Sequence, residues 1–169
     1  VPTGHNLYSV NAESTPSKLA WDRGVALAQN VLNEYKEKHG EYPKKIAYTF
    51  WSSEFVETEG VSIAQALYML EPVWDTFGRV GDIRLIPSEE LGRPRIDVVI
   101  QTSGQFRDLA ASRLFLITKA IEMVSALPQE PYANQVSAGT VDIEKELVEA
   151  GVPPKEAREM STQRIFGGL

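Results

Sequence analysis

Apolar positions recur along this chain in two rhythms, and the rhythms predict its elements. Trp21, Val25, Ala28, Leu32 and Tyr35 follow one another at steps of four, three, four and three, which is one face of a helix. Ser14 or Thr15 is placed to cap that helix, with Pro16 in its first turn. Gly40 is a stop signal, and Pro43 lies just beyond it. Lys45 to Trp51 is short and rich in aromatic and β-favouring residues, which predicts a strand. A polar loop is expected from Ser52 to Gly60. Residues 62–70 predict a helix with Ile63, Leu67 and Leu70 on one face.

Val73-Trp74 and Ile83 to Ile86 are candidate short strands. Ile96 to Ile100 is mostly apolar, the pattern of a buried parallel strand. Thr102-Ser103-Gly104 breaks it, and one long helix is expected from about Gln105 to Ala126, burying Ala110, Leu114, Ile117, Ile121 and Val124. Strands alternating with helices predict an α/β fold, layered, with a mainly parallel sheet flanked by helices. The segment from 128 to 169 is different. Pro128, Pro131, Pro153 and Pro154 punctuate it, and Thr140 is placed to cap a short acidic helix ending at Gly151. The expected organisation is an α/β domain over 1–127 and a helical C-terminal extension over 128–169.

The bulk composition narrows the function classes. The 169 residues are 43% hydrophobic, enough to bury a core. Net charge is −6 without a long basic run, which disfavours a nucleic-acid partner. There is no cysteine, so disulfides, thiolate metal sites and cysteine nucleophiles are excluded. No apolar run approaches the ~18 residues of a membrane span. The chain begins at Val1 and ends on Arg164-Ile165-Phe166-Gly167-Gly168-Leu169; both ends read as cuts in a longer protein.

In open α/β sheets ligands bind at the carboxyl ends of the strands, and two such ends carry candidate chemistry. Trp51-Ser52-Ser53-Glu54, followed by Glu57 and Glu59, gathers three carboxylates. Carboxylates bind hard cations and move protons; a solvated acidic loop has the same composition. Thr102-Ser103-Gly104-Gln105-Phe106-Arg107-Asp108 runs a strand into a turn and a helix. Free N–H groups and Arg107 there suit a carboxylate ligand; a plain Ser103 cap with an Arg107–Asp108 pair is the alternative. No GxGxxG or P-loop pattern is present. His5 lies in a Gly-His-Asn turn and can carry protons or serve as a surface residue, while His39 reads as exposed. Arg93-Pro94-Arg95-Ile96-Asp97 reads as an Arg95–Asp97 pair or a capping arrangement at the start of a strand.

Several segments, in order, resemble one family. Pro2-Thr3-Gly4-His5-Asn6-Leu7-Tyr8 is similar to its proline-glycine-basic-asparagine segment, and Trp51-Ser52-Ser53-Glu54 to its tryptophan-glycine-threonine-aspartate turn. Gly60 with Ser62 to Leu67, then Asp75 to Val80, then Ile86 to Leu91, follow in the same order. Leu91-Gly92-Arg93-Pro94-Arg95-Ile96-Asp97-Val98-Val99 and Ser103-Gly104-Gln105-Phe106-Arg107-Asp108 complete the run. The family is the large subunit of cobaltochelatase, with the porphyrin-binding large subunit of magnesium chelatase as its close relative. The resemblance covers about 2–126 closely, is looser over 127–160, and returns at Arg164 to Gly167.

The resemblance implies a tetrapyrrole substrate and insertion of a divalent metal, cobalt ahead of magnesium. ATP would be hydrolysed on separate AAA+ motor and accessory subunits, and the compartment would be the cytoplasm. It implies catalytic roles for His5, Glu54 and Glu59, substrate contacts from Asn6, Gln65, Arg79, Ser103, Arg107 and Asp108, and metal contacts from Glu54 and Glu57. The chain departs from the pattern at Val61 and Gln29, where the family usually or often carries Glu. His5 replaces the usual Arg or Lys, and Glu54 the usual Asp. These departures leave a second expectation open, a divergent haem- or tetrapyrrole-binding homologue that removes or carries a metal without standard insertion.

Overall fold

The computed structural model describes residues 15–70, 72–73 and 83–167. Helix α1 spans Lys18–His39, strand β1 Lys45–Phe50, α2 Ser52–Thr58 and α3 Val61–Leu70. A small antiparallel pair follows, β2 at Pro72–Val73 and β3 at Arg84–Leu85, then the short helix α4 at Ser88–Leu91. Strand β4 is Asp97–Thr102, α5 Gly104–Leu109, α6 Ala111–Ser125, α7 Gln135–Glu149, α8 Pro154–Met160 and β5 Ile165–Gly167.

The main sheet is parallel, with strand order β1-β4-β5. Ile46 aligns with Val98, Tyr48 with Ile100 and Phe50 with Thr102. Side chains alternate along a strand, so these residues share one face. Phe50, Val98 and Ile100 join a core with Phe55, Ile63, Met69, Leu70, Phe106, Ile117 and Ile121, and Ile46 and Tyr48 pack against it. Helix α3 packs against β4 and α6, and α7 packs against both β4 and α6. The layered, mainly parallel α/β architecture is therefore present, and the extension is helical over α7 and α8 before it returns to the sheet as β5.

Several local expectations are corrected. The first helix is capped by Ser17, which accepts from Ala20 N at 3.1 Å, rather than by Ser14 or Thr15. Its buried ridge is Ala20, Gly24, Ala28 and Leu32, and Tyr35 is exposed. Small residues hold that ridge because α1 and α3 touch: a Cβ on Gly24 would come 2.6 Å from the Ala64 Cβ. Residues 52–58 are helical rather than a loop, because Phe55 is fully buried and meets Phe106 edge-on at 5.4 Å. The expected long helix is two helices meeting at the buried Ala110, whose φ of −125° and ψ of 31° leave the helical region. Asn134 caps α7, and Thr140 lies inside that helix.

The Arg95–Asp97 pair does not form. Each residue takes a partner from the C-terminal segment instead. Arg95 is 1% exposed and grips Glu130 through two bonds of 2.9 Å, while also donating to the carbonyls of Leu70 and Ile86. Asp97 accepts from Arg164 Nε at 2.9 Å, and Arg164 also donates to Thr140 Oγ1 and to the carbonyls of Ser161 and Val136. The second Asp97 oxygen has Lys45 Nζ at 3.7 Å, an ionic contact too long for a hydrogen bond. That oxygen packs on Gly139, where an added Cβ would lie only 2.5 Å away.

Two stability measurements follow. Arg164→Leu strands a buried carboxylate and should cost about 3–5 kcal/mol in urea unfolding; adding Asp97→Asn should recover part of that. Gly139→Ala should destabilise the chain, although helix propensity alone predicts a gain of about 1 kcal/mol. A neutral or stabilising Gly139→Ala would contradict the close packing of the Asp97 carboxylate.

Tyr48 supplies a pH test. Burial pushes its phenol from 10.0 up to about 12, against a smaller opposing effect of the nearby Arg93 charge. The unfolded phenol ionises first, so this contribution to stability is complete below pH 10.0 and is lost as pH rises towards about 12. An ultraviolet tyrosinate titration should lose its latest-ionising step in Tyr48→Phe.

Candidate functional site at the carboxyl ends of the sheet

Strands β1 and β4 end side by side, because Phe50 and Thr102 are in register. Each chain then turns directly into a helix. Trp51 is the N-cap residue of α2 and leaves its indole half exposed. Ser103 caps α5, its Oγ accepting from Phe106 N at 3.1 Å. The two turns are tied together. Ser103 N donates to the Phe50 carbonyl at 3.4 Å, and Ser52 Oγ donates to Gln105 Oε1 at 3.3 Å. Residues 53 positions apart in the chain thus form one surface.

Strand β5 completes this edge. Gly167 aligns with Thr102. A Cβ on Gly167 would lie 2.9 Å from the Arg107 guanidinium carbon, so the guanidinium rests on a bare backbone. Arg107 is exposed, as are Gln105, Asp108 and Phe166. The result is a polar strip with one cation, bordered by the exposed rings of Trp51 and Phe166. Such a strip can hydrogen-bond a carboxylate through the cation and lay a flat apolar ligand against the rings.

The three acidic residues are placed differently from one another. Glu54 is half-buried, and its carboxylate accepts from Thr58 Oγ1 at 2.9 Å. Thr58 Oγ1 also accepts from Val61 N at 3.2 Å, linking the end of α2 to the start of α3. Glu57 is exposed on the last turn of α2. Glu59 follows the helix in the left-handed region at φ 59°, its carbonyl accepting from Ser17 N at 3.1 Å. Among the described residues no group of three or more His, Asp or Glu side chains comes together to hold a metal ion.

Gln65 is half-buried on α3, with its backbone N beside Gly24. Val61 is buried where α3 meets α1. The preceding Gly60 is required twice over, by its φ of 99° and by Pro16, whose Cα would lie 3.1 Å from an added Cβ. His5, Asn6 and Arg79 lie outside the described residues. The structure therefore brings Ser103 and Arg107 onto one edge. Four members of that edge had no expected role, Ser52, Gln105 and the bordering Trp51 and Phe166. Gln105 carried a legible signal, since it follows a capped turn at a strand's carboxyl end; Phe166 lies in the stretch where the resemblance returns, but its strand of three residues is too short to show a period.

Comparison with known proteins places the chain in a family. The family model described as CobN/Magnesium Chelatase matches residues 1–168. The aerobic cobaltochelatase subunit CobN of Pseudomonas aeruginosa is 36% identical over 171 residues, covering 99% of this chain and 14% of that protein. The chloroplastic magnesium-chelatase subunit ChlH of Oryza sativa subsp. japonica is 38% identical over 160 residues, covering 93% of this chain and 11% of that protein. Among solved structures, the catalytic subunit of cobaltochelatase from Mycobacterium tuberculosis superposes with a TM-score of 0.79 at 35% identity, covering 92% of this chain and 13% of that one. The chain thus spans roughly one seventh or less of the length of these relatives. With its whole length matched by the family model, and with the fold shared, this chain belongs to the CobN/magnesium chelatase family.

Proposed function

We propose that this chain is a segment of a chelatase large subunit that presents the carboxyl edge of its sheet to a tetrapyrrole into which a divalent metal is inserted. Cobalt is the metal favoured over magnesium. ATP would be hydrolysed on AAA+ partner subunits, in keeping with the absence of a P-loop from the sequence. The observation that carries the reading is the joining of the Ser52 and Gln105 turns beside Arg107. It makes one edge that offers a cation to the carboxylate arms of the ring, and aromatic faces to its plane.

Insertion of a divalent metal displaces two pyrrole protons, so a base must stand near the ring. Glu54 is the described carboxylate best suited to this, since Thr58 holds its orientation from within the same helix. Glu59 and His5 are further proton carriers in this reading, with Asn6, Gln65, Arg79 and Asp108 as further ring contacts and Glu57 beside Glu54 on the metal's path. A second reading, carriage or demetallation of a haem-like ring without standard insertion, is favoured by Val61. It is buried and apolar at the position where the family's pattern has a carboxylate.

The test is a spectral titration of the full-length protein with haem, metal-free porphyrin and a metal-free corrin precursor, each with cobalt or magnesium. Ring binding followed by a metal-dependent band shift is expected. Arg107→Gln should weaken ring binding about 10- to 100-fold, the loss of a charge-assisted hydrogen bond of ~1.5–3 kcal/mol. Glu54→Gln should slow insertion with little change in ring affinity. Tight haem binding without insertion into any ring would favour the second reading, and no spectral change with any ring would contradict both.

A further inference from the structure

The main sheet is parallel throughout, yet its two faces differ. Phe50, Val98 and Ile100 point into the core, and Tyr48 packs against it. Side chains alternate along a strand, so Ala47, Thr49, Val99 and Gln101 point the other way. Ala47, Thr49 and Gln101 are exposed, and Val99 is half-buried. Register joins the four into one patch, because Ala47 aligns with Val99 and Thr49 with Gln101. Phe166 aligns with Gln101 and stands at the border between this patch and the carboxyl edge. Helix α7 covers the amino end of the same face, where Gly139 meets Asp97.

Topology explains the asymmetry. Strand order β1-β4-β5 follows chain order, so both connections run in one direction across the sheet. Parallel connections are right-handed, and two that run the same way place their helices on the same face. The core helices α3 and α6 belong to these connections, one to each. A helix reaches the opposite face when its connection runs back across the sheet towards β1. Among the described residues β1 pairs with β4 alone, so a returning strand can join there and bring its helix over the patch. All-parallel sheets occur almost only with both faces covered. Ala47, Thr49, Val99 and Gln101 are uncharged and mostly small, a surface that suits the apolar side of a helix. The relatives supply the length for one, since this chain spans 14% or less of each of those compared above.

We propose that the patch is a docking surface within one polypeptide. In the full-length protein it is covered by an amphipathic helix from outside this segment, in a connection that returns across the sheet towards β1. This holds whether or not the carboxyl edge binds a tetrapyrrole.

The experiment is maleimide labelling of the full-length protein, read by mass spectrometry on the peptide that carries the new thiol. Ala47→Cys and Thr49→Cys are small changes on the patch. Glu37→Cys, at an exposed position of α1, is the reference. A covered thiol reacts only after local opening, so the patch thiols should label about tenfold or more slowly than the reference. The protection should need no other subunit, should be the same at high and low protein concentration, and should vanish in urea. Thr49→Arg should lower the unfolding temperature of the full-length protein more than Glu37→Arg does. Equal labelling at all three positions, protection lost on dilution (a second copy as the cover), protection that appears only with another subunit, or a Thr49→Arg as harmless as Glu37→Arg would each overturn the proposal.

Discussion

The buried ion pair between Asp97 and Arg164 is the constraint on which the rest of the structure depends. Both side chains are almost wholly out of water, at 2% and 1% exposure. A buried charge is tolerated only when its partner and hydrogen bonds are complete. Arg164 meets that condition through Asp97, Thr140 and main-chain carbonyls, while Asp97 accepts from Arg164 and Val98 N on one oxygen and has the Lys45 ammonium at 3.7 Å from the other. The pair therefore specifies three placements at once. It sets the start of the central strand, the closeness of α7 at Gly139, and the direction in which the chain enters β5.

The carboxyl edge inherits its geometry from that arrangement. Ile100 N donates to the Arg164 carbonyl, so the residue that holds Asp97 also sets the register of β5 on β4. Gly167 then comes to lie under Arg107. On the other side of β4, the parallel register with β1 brings Ser52 to Gln105. The chemistry of the edge is thus assembled from three strand ends that are remote in sequence, a common origin of sites in parallel sheets. A second clamp works in the same manner near the amino end. Arg95, held by Glu130, donates to the carbonyls of Leu70 and Ile86, which bracket the β2–β3 pair.

Much of the layered core was legible in the sequence, because it is written in local periodicity. Ile96 to Ile100 reads as a buried strand and Lys45 to Trp51 as a second, and the structure places these strands at Asp97–Thr102 and Lys45–Phe50. What local pattern did not disclose was set by contacts between distant residues. The fully buried Phe55 converts an acidic loop into a helix, and no spacing rule announces that. The break at Ala110 has no glycine or proline to mark it. Arg95 and Asp97 sit two residues apart and look like partners, yet Glu130 and Arg164 offer each a better-buried bond. At the site, the Ser103 cap follows from its own turn, whereas the Ser52–Gln105 link depends on strand register.

The central claim is that a tetrapyrrole lies against the carboxyl ends of β1 and β4. Hydrogen-exchange mapping of the full-length protein, with and without a metal-free ring, tests this directly. The account predicts slowed amide exchange in α2 and α5, around Ser52 to Thr58 and Gly104 to Leu109, with little change in α7 and α8. Ring binding that leaves α2 and α5 unprotected while slowing exchange in α7 and α8 would contradict it.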